Sequence, residues 1–143
     1  MLERFIISFV TVILWMGSAN AHHNAAARYL PDELVTVEGV VSEFRLISPH
    51  ARIYIDVAAS TGDVEPWLAE GRAAGILKRV GWTADTLKKG DFIKITGHPA
   101  RDGSNAMDWT LIILEDGTVL RGGNPDAEER ERRLRELDKR RQQ

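Results

Sequence analysis

Cysteine is absent from the 143 residues, which removes disulfides, thiolate metal ligands and a thiol nucleophile together and leaves stability to packing. A large charge of either sign is also missing. The formal net charge is -2 at pH 7, so the chain has no broad basic field of the kind that neutralises many phosphates, and nucleic acid is not expected as a partner. The motifs that announce an enzyme are lacking too. There is no nucleophile elbow, no phosphate-cradling glycine loop and no His-Glu-x-x-His helix. A His98–Asp102 dyad would have no third group, so the expectation is a protein that is not an enzyme.

What is present begins at the N-terminus. Arg4 precedes an apolar run over residues 5–16, interrupted by Ser8 and Thr11, and Ala19-Asn20-Ala21 follows. That order of short positive region, apolar core and A-x-A site is a signal peptide, with cleavage expected after Ala21. A retained anchor is the alternative, but the run falls short of the ~18 apolar residues a spanning helix needs. The expected product is periplasmic or secreted, keeps no membrane anchor, and starts at His22-His23-Asn24.

With 28% charged and 43% hydrophobic residues, the remainder suits one modest globular domain. Residues 22–33 are polar and alanine-rich and form an arm. From residue 34 the pattern is that of strands. A long first strand reaches about Leu46, with Gly39 allowing a bulge. A second, over residues 51–57, alternates Ile53, Ile55 and Val57 with Arg52, Tyr54 and Asp56. A short third strand over residues 64–69 holds Trp67. Ala73, Ala74, Ile76, Leu77 and Val80 then recur at helical spacing before Gly81. A fourth strand carries Ile93 and Ile95 towards His98, and a fifth spans residues 107–114, returned by the Asp116-Gly117 turn.

Three strands, a helix and two strands predict a mainly β fold: a small five-stranded Greek-key barrel of the OB type over residues 34–122, with a small mixed sandwich as the alternative. Residues 123–143 are charged. Glu128, Glu129, Glu131 and Glu136 each precede an arginine by four residues, which predicts a solvated helical tail.

The residues also carry a resemblance. Ala21-His22-His23, Pro49-His50-Ala51, Gly81-Trp82, Leu87, Gly90-Asp91, the run from Gly97-His98-Pro99 through Arg101-Asp102-Gly103, and Asp116-Gly117 together resemble the DUF6152 family of small exported bacterial proteins. Ser48 and Asn24 stand where that family more usually has asparagine and serine. The resemblance implies export and a fold class; the family is one of unknown function and implies no activity.

The four histidines are the sharpest clue to function. In an OB fold the loop between strands one and two and the loop between strands four and five share the usual ligand-binding end, which makes His50 and His98 neighbours. Strand parity turns both rings away from the core. An N-terminal histidine offers an amine and an imidazole to one ion, and further imidazoles suit copper or zinc. If the arm folds back over the barrel end, His22 or His23 joins His50 and His98 in a metal site. The alternative is a mobile terminus, with His50 packed in its turn and His98 bonded locally to Asp102. Arg52, Arg101 and Asp102 are candidates for an anionic or sugar-like ligand, although Arg101 and Asp102 also suit a local ion pair. Trp109 is the candidate ligand-facing aromatic, alongside an alternative place in the core. The resulting expectation is an exported, non-catalytic binding module. It takes copper or zinc through histidine, or else a sugar, peptide or envelope protein without metal.

Overall fold

The computed structural model describes residues 25–122 together with Arg132, Glu136, Lys139 and Arg140. The expected signal peptide over residues 1–21 and the His22-His23 pair lie outside the described residues. So does most of the charged tail, whose four described positions are helical. Among the described residues no helix is long and apolar enough to cross a membrane.

A single turn of helix, α1 (Ala25–Arg28), precedes the strands β1 (Val35–Arg45), β2 (Arg52–Ala58) and β3 (Val64–Glu70). Helix α2 (Ala74–Arg79) follows, and then β4 (Phe92–Pro99), β5 (Ala106–Leu114) and the short β6 (Val119–Arg121). The sheet order is β3-β2-β1-β4-β5-β6, and a parallel pairing of β3 with β5 closes the first five strands into a barrel. All other pairings are antiparallel. A closed barrel in the order 1-2-3-5-4, with its helix between strands three and four, is the OB architecture.

Alternation builds the core. Ile53 and Ile55 of β2, Ala69 of β3, Ile93 and Ile95 of β4 and Met107 of β5 point inward and are fully buried. Leu77 of α2 is fully buried in the same core, and Gly81, at φ +95°, follows the end of that helix and turns the chain. Trp82 then enters the core, its ring 5.0 Å from that of Trp109 and its indole N–H donating to the Arg121 carbonyl at 3.1 Å.

Two irregularities position the functional side chains. The bulge expected at Gly39 is instead a register shift between Val41 and Glu43. Gly39 is needed for close approach, because a Cβ there would stand 2.5 Å from the Asp56 carbonyl oxygen. A second shift occurs in the β4–β5 ladder, where Thr96 pairs with Leu111 but Gly97 pairs with Trp109. One residue of β5 is thereby extra, a β-bulge that reverses the inside–outside phase along the strand. Ile112 and Trp109 both face the core as a result, at 0% and 3% exposure.

Candidate functional site

Beyond that bulge, the side chains of β2, β3, β5 and β4 that alternate away from the core form one row. Arg52 is the register partner of Glu70, Glu70 of Asp108, and Asp108 of His98. Four strands thus deliver two carboxylates, a guanidinium and an imidazole side by side around the barrel.

The segment before β1 covers this row. Tyr29 bridges to Ala100, the Leu30 N–H donates to the Pro99 carbonyl at 3.0 Å, and the Arg101 N–H donates to the Arg28 carbonyl at 2.9 Å. The Tyr29 ring packs with Ala100, Ala106 and Leu68 in a small apolar cluster distinct from the barrel core. Its hydroxyl donates to Glu70 Oε2 at 2.8 Å, and Arg28 Nη1 donates to the same oxygen at 2.8 Å. Arg52 Nε stands 3.3 Å from Glu70 Oε1, within ion-pair distance but without hydrogen-bond alignment. One carboxylate, itself 5% exposed, therefore gathers three partners, two of them from the arm. Burial and the adjacent Glu70 raise the Tyr29 phenol well above its ordinary value, so it stays a donor.

His98 is 4% exposed. Its Nδ1 lies 2.8 Å from the Glu33 carbonyl oxygen. A carbonyl only accepts, so Nδ1 carries the hydrogen. Nε2 of the same ring is buried and has no hydrogen-bond partner. His50, in the loop between β1 and β2, repeats the pattern: its Nδ1 donates to the Gly71 carbonyl at 3.0 Å. With Nδ1–H on those carbonyls, the neutral form of each ring has Nε2 as its lone-pair nitrogen, the tautomer in which imidazole binds metals.

Asp108 is the register partner of His98. Burial raises its carboxyl above the ordinary range, against the opposing pull of His98 first and then His50, while Glu70 adds to the rise and Arg72 opposes it. Both histidines thus act electrostatically on one carboxyl. Among the described residues no three His, Asp or Glu side chains already stand close enough to enclose a metal ion.

The other sequence candidates separate. Arg52 belongs to the row. Arg101 reaches back to the arm, its Nη2 3.3 Å from the Tyr29 carbonyl. Asp102 closes its own turn, accepting from the Ser104 N–H at 3.0 Å and hydroxyl at 2.6 Å, which holds its carboxyl below the usual carboxylate range. It is not the partner of His98 Nδ1; that place is taken by Glu33. Trp109 is not ligand-facing: the bulge turns it into the core against Trp82. Asp108, Glu70 and Tyr29 were not among the sequence candidates. Asp108 is the one charge inside the apolar run over residues 106–114, and that interruption is the signal that marks it.

A family model described as "Family of unknown function (DUF6152)" matches residues 11–108. No curated protein matches the chain. Among solved structures, the mitochondrial single-stranded DNA binding protein of S. cerevisiae is similar at 15% identity. That likeness covers 58% of this chain and 94% of that one, with a TM-score of 0.44.

Proposed function

Since the chain belongs to the DUF6152 family, whose function is unknown, no activity comes with membership, and we propose from the geometry that it is an exported, non-catalytic module that binds copper or zinc at the arm-covered rim. The observation that carries this reading is the pair of imidazoles, His98 and His50, each with Nδ1 on a backbone carbonyl. A buried ring nitrogen without a partner, as at His98, is costly to fold unless something binds it. Asp108 supplies the neighbouring carboxylate, and two imidazoles with one carboxylate form a ligand set suited to either ion.

Because these groups are not gathered at metal distance in the described residues, loading requires the His50 loop to close on the β4–β5 pair. The fourth position falls to the arm. Three residues separate His22 from Ala25, a reach of roughly 10 Å when extended, and signal cleavage would free the His22 amine as a further ligand. Binding rather than turnover is favoured because the row Arg52–Glu70–Asp108–His98 contains no hydroxyl, thiol or amine nucleophile.

Isothermal titration of the mature protein, residues 22–143, with copper and with zinc tests the reading. One equivalent is expected to bind, with affinity falling at least about 100-fold in His98→Ala, as metal sites lose when a ligand or its support is removed. Weak binding that is unchanged in a His50→Ala, His98→Ala double variant would overturn it and leave a metal-independent envelope interaction module.

A further inference from the structure

We infer that the charged tail, residues 123–143, docks through Leu134 and Leu137 on the outward face of β1, β4, β5 and β6, independently of any metal. Register defines that face. Thr36, Thr96, Leu111 and Arg121 are paired across it in one row, Glu38, Lys94, Ile113 and Val119 in the next, and Val40 with Phe92 beyond. These residues alternate with the inward Ile93, Ile95 and Ile112, so they point away from the barrel core. A sheet face turned to water is ordinarily polar and exposed. Here the flanks are exposed but apolar: Val119, Phe92 and Val40 are 50%, 43% and 41% exposed. The centre is buried. Thr96 and Leu111 are 8% and 6% exposed, and Leu111 belongs to neither apolar cluster of the described residues. Such burial of an outward leucine, set between a threonine and an exposed arginine, calls for a further segment lying over it.

The tail is the segment placed to do so. The chain leaves β6 at Arg121, the partner of Leu111, and Gly122 is buried so close to Trp109 that a Cβ there would stand 3.2 Å from the ring. Residue 123 therefore starts beside the buried centre. Along a helix from Asn124, Leu134 and Leu137 come roughly 15 to 20 Å on, and four strands span roughly 14 Å, so the leucines reach across the face as far as Phe92 and Val40. The described tail residues agree. Arg132, Glu136, Lys139 and Arg140 are helical and exposed; at about 3.6 residues per turn they share one arc of roughly 100°, and Leu134 and Leu137 fall on the other side of the helix.

Methyl NMR of the mature protein, labelled at Ile, Leu and Val methyls and free of metal, is the test. Nuclear Overhauser contacts are expected from the Leu134 and Leu137 methyls to those of Leu111, Ile113, Val119 or Val40. Leu134→Gln with Leu137→Gln alters only the tail, so folding of the barrel is not at stake, and it should shift the Leu111 and Ile113 methyl resonances. Lys139→Gln with Arg140→Gln, on the exposed arc, is the control and should leave them in place. Absent contacts, or Leu111 and Ile113 resonances that the leucine variant does not move, overturn the docking. Contacts that arise only between differently labelled chains in a mixed sample give the face to the tail of a second copy and overturn it as well. None of these outcomes depends on whether copper or zinc binds.

Discussion

Asp108 carries a cost in the folded protein that its neighbours only partly offset. Burial lifts its carboxyl above the ordinary range, and His98, His50 and Arg72 pull against that rise without cancelling it. A carboxyl raised on folding binds its proton over a wider range in the native state than in the unfolded chain. Stability therefore falls as pH climbs from the ordinary carboxylate value through the raised one, and is lowest above both. Asp108→Asn removes the ionisation and keeps the shape, so the metal-free variant is expected to melt above wild type at pH 7. The gain should shrink as the pH approaches the ordinary carboxylate range, a comparison that calorimetric melts across pH can make. The same substitution should weaken copper or zinc binding, since a residue kept at a cost to stability is the kind that serves a site. Residue chemistry was legible in the sequence for His50 and His98, because imidazoles at loop ends are rare enough to notice. It was not legible for Glu70 and Tyr29, whose roles exist only once residues 41 positions apart meet in a 2.8 Å hydrogen bond.

The β4–β5 ladder shows where element-level reading succeeds and where it stops. Alternation of isoleucines with polar residues placed β2 and β4 and their inward faces, since period two needs only the local sequence. A bulge has no comparable local signature, and one extra residue reverses everything beyond it. Counting back from buried Ile112 in steps of two puts Trp109 outside; the shift at Thr96 and Gly97 puts it inside. Gly97 makes this crossing feasible. A Cβ there would stand 2.5 Å from the Asp108 carbonyl oxygen and 2.7 Å from the Trp109 Cα. Both are backbone atoms of the paired strand, so neither can swing away. Gly97→Ala is expected to cost about 3 kcal/mol, the upper part of the range for forcing atoms into a filled space. Urea denaturation would measure it as a lower midpoint, and because the strands separate where His98 faces Asp108, metal affinity should drop as well. The Gly39 expectation failed for a related reason: a glycine in a strand marks either a bulge or a close approach, and only the partner strand decides which.

At the scale of the whole molecule, the barrel is a device for bringing sequence-distant groups to one rim. The end of β4 faces Asp108 through the β4–β5 ladder, the segment ahead of β1 reaches His98 there, and the pairing of β3 with β5 adds Glu70 beside Asp108. Strand order and the place of the helix were sufficient to name that architecture from sequence. On sequence grounds the arm's folding back was a condition of the site; Leu30 and Glu33 do meet the end of β4 at Pro99 and His98, while the anchor of Arg28 and Tyr29 on Glu70 was not foreseen. Long-range proton–nitrogen NMR of the uniformly ¹⁵N-labelled mature protein tests the central claim most directly, because it reads the tautomer of each imidazole and its response to metal. With no metal, His50 and His98 are expected to carry hydrogen on Nδ1 and a bare Nε2, and one equivalent of zinc should shift both Nε2 resonances together. Rings protonated on Nε2, or Nε2 signals that zinc leaves where they were, would contradict the account.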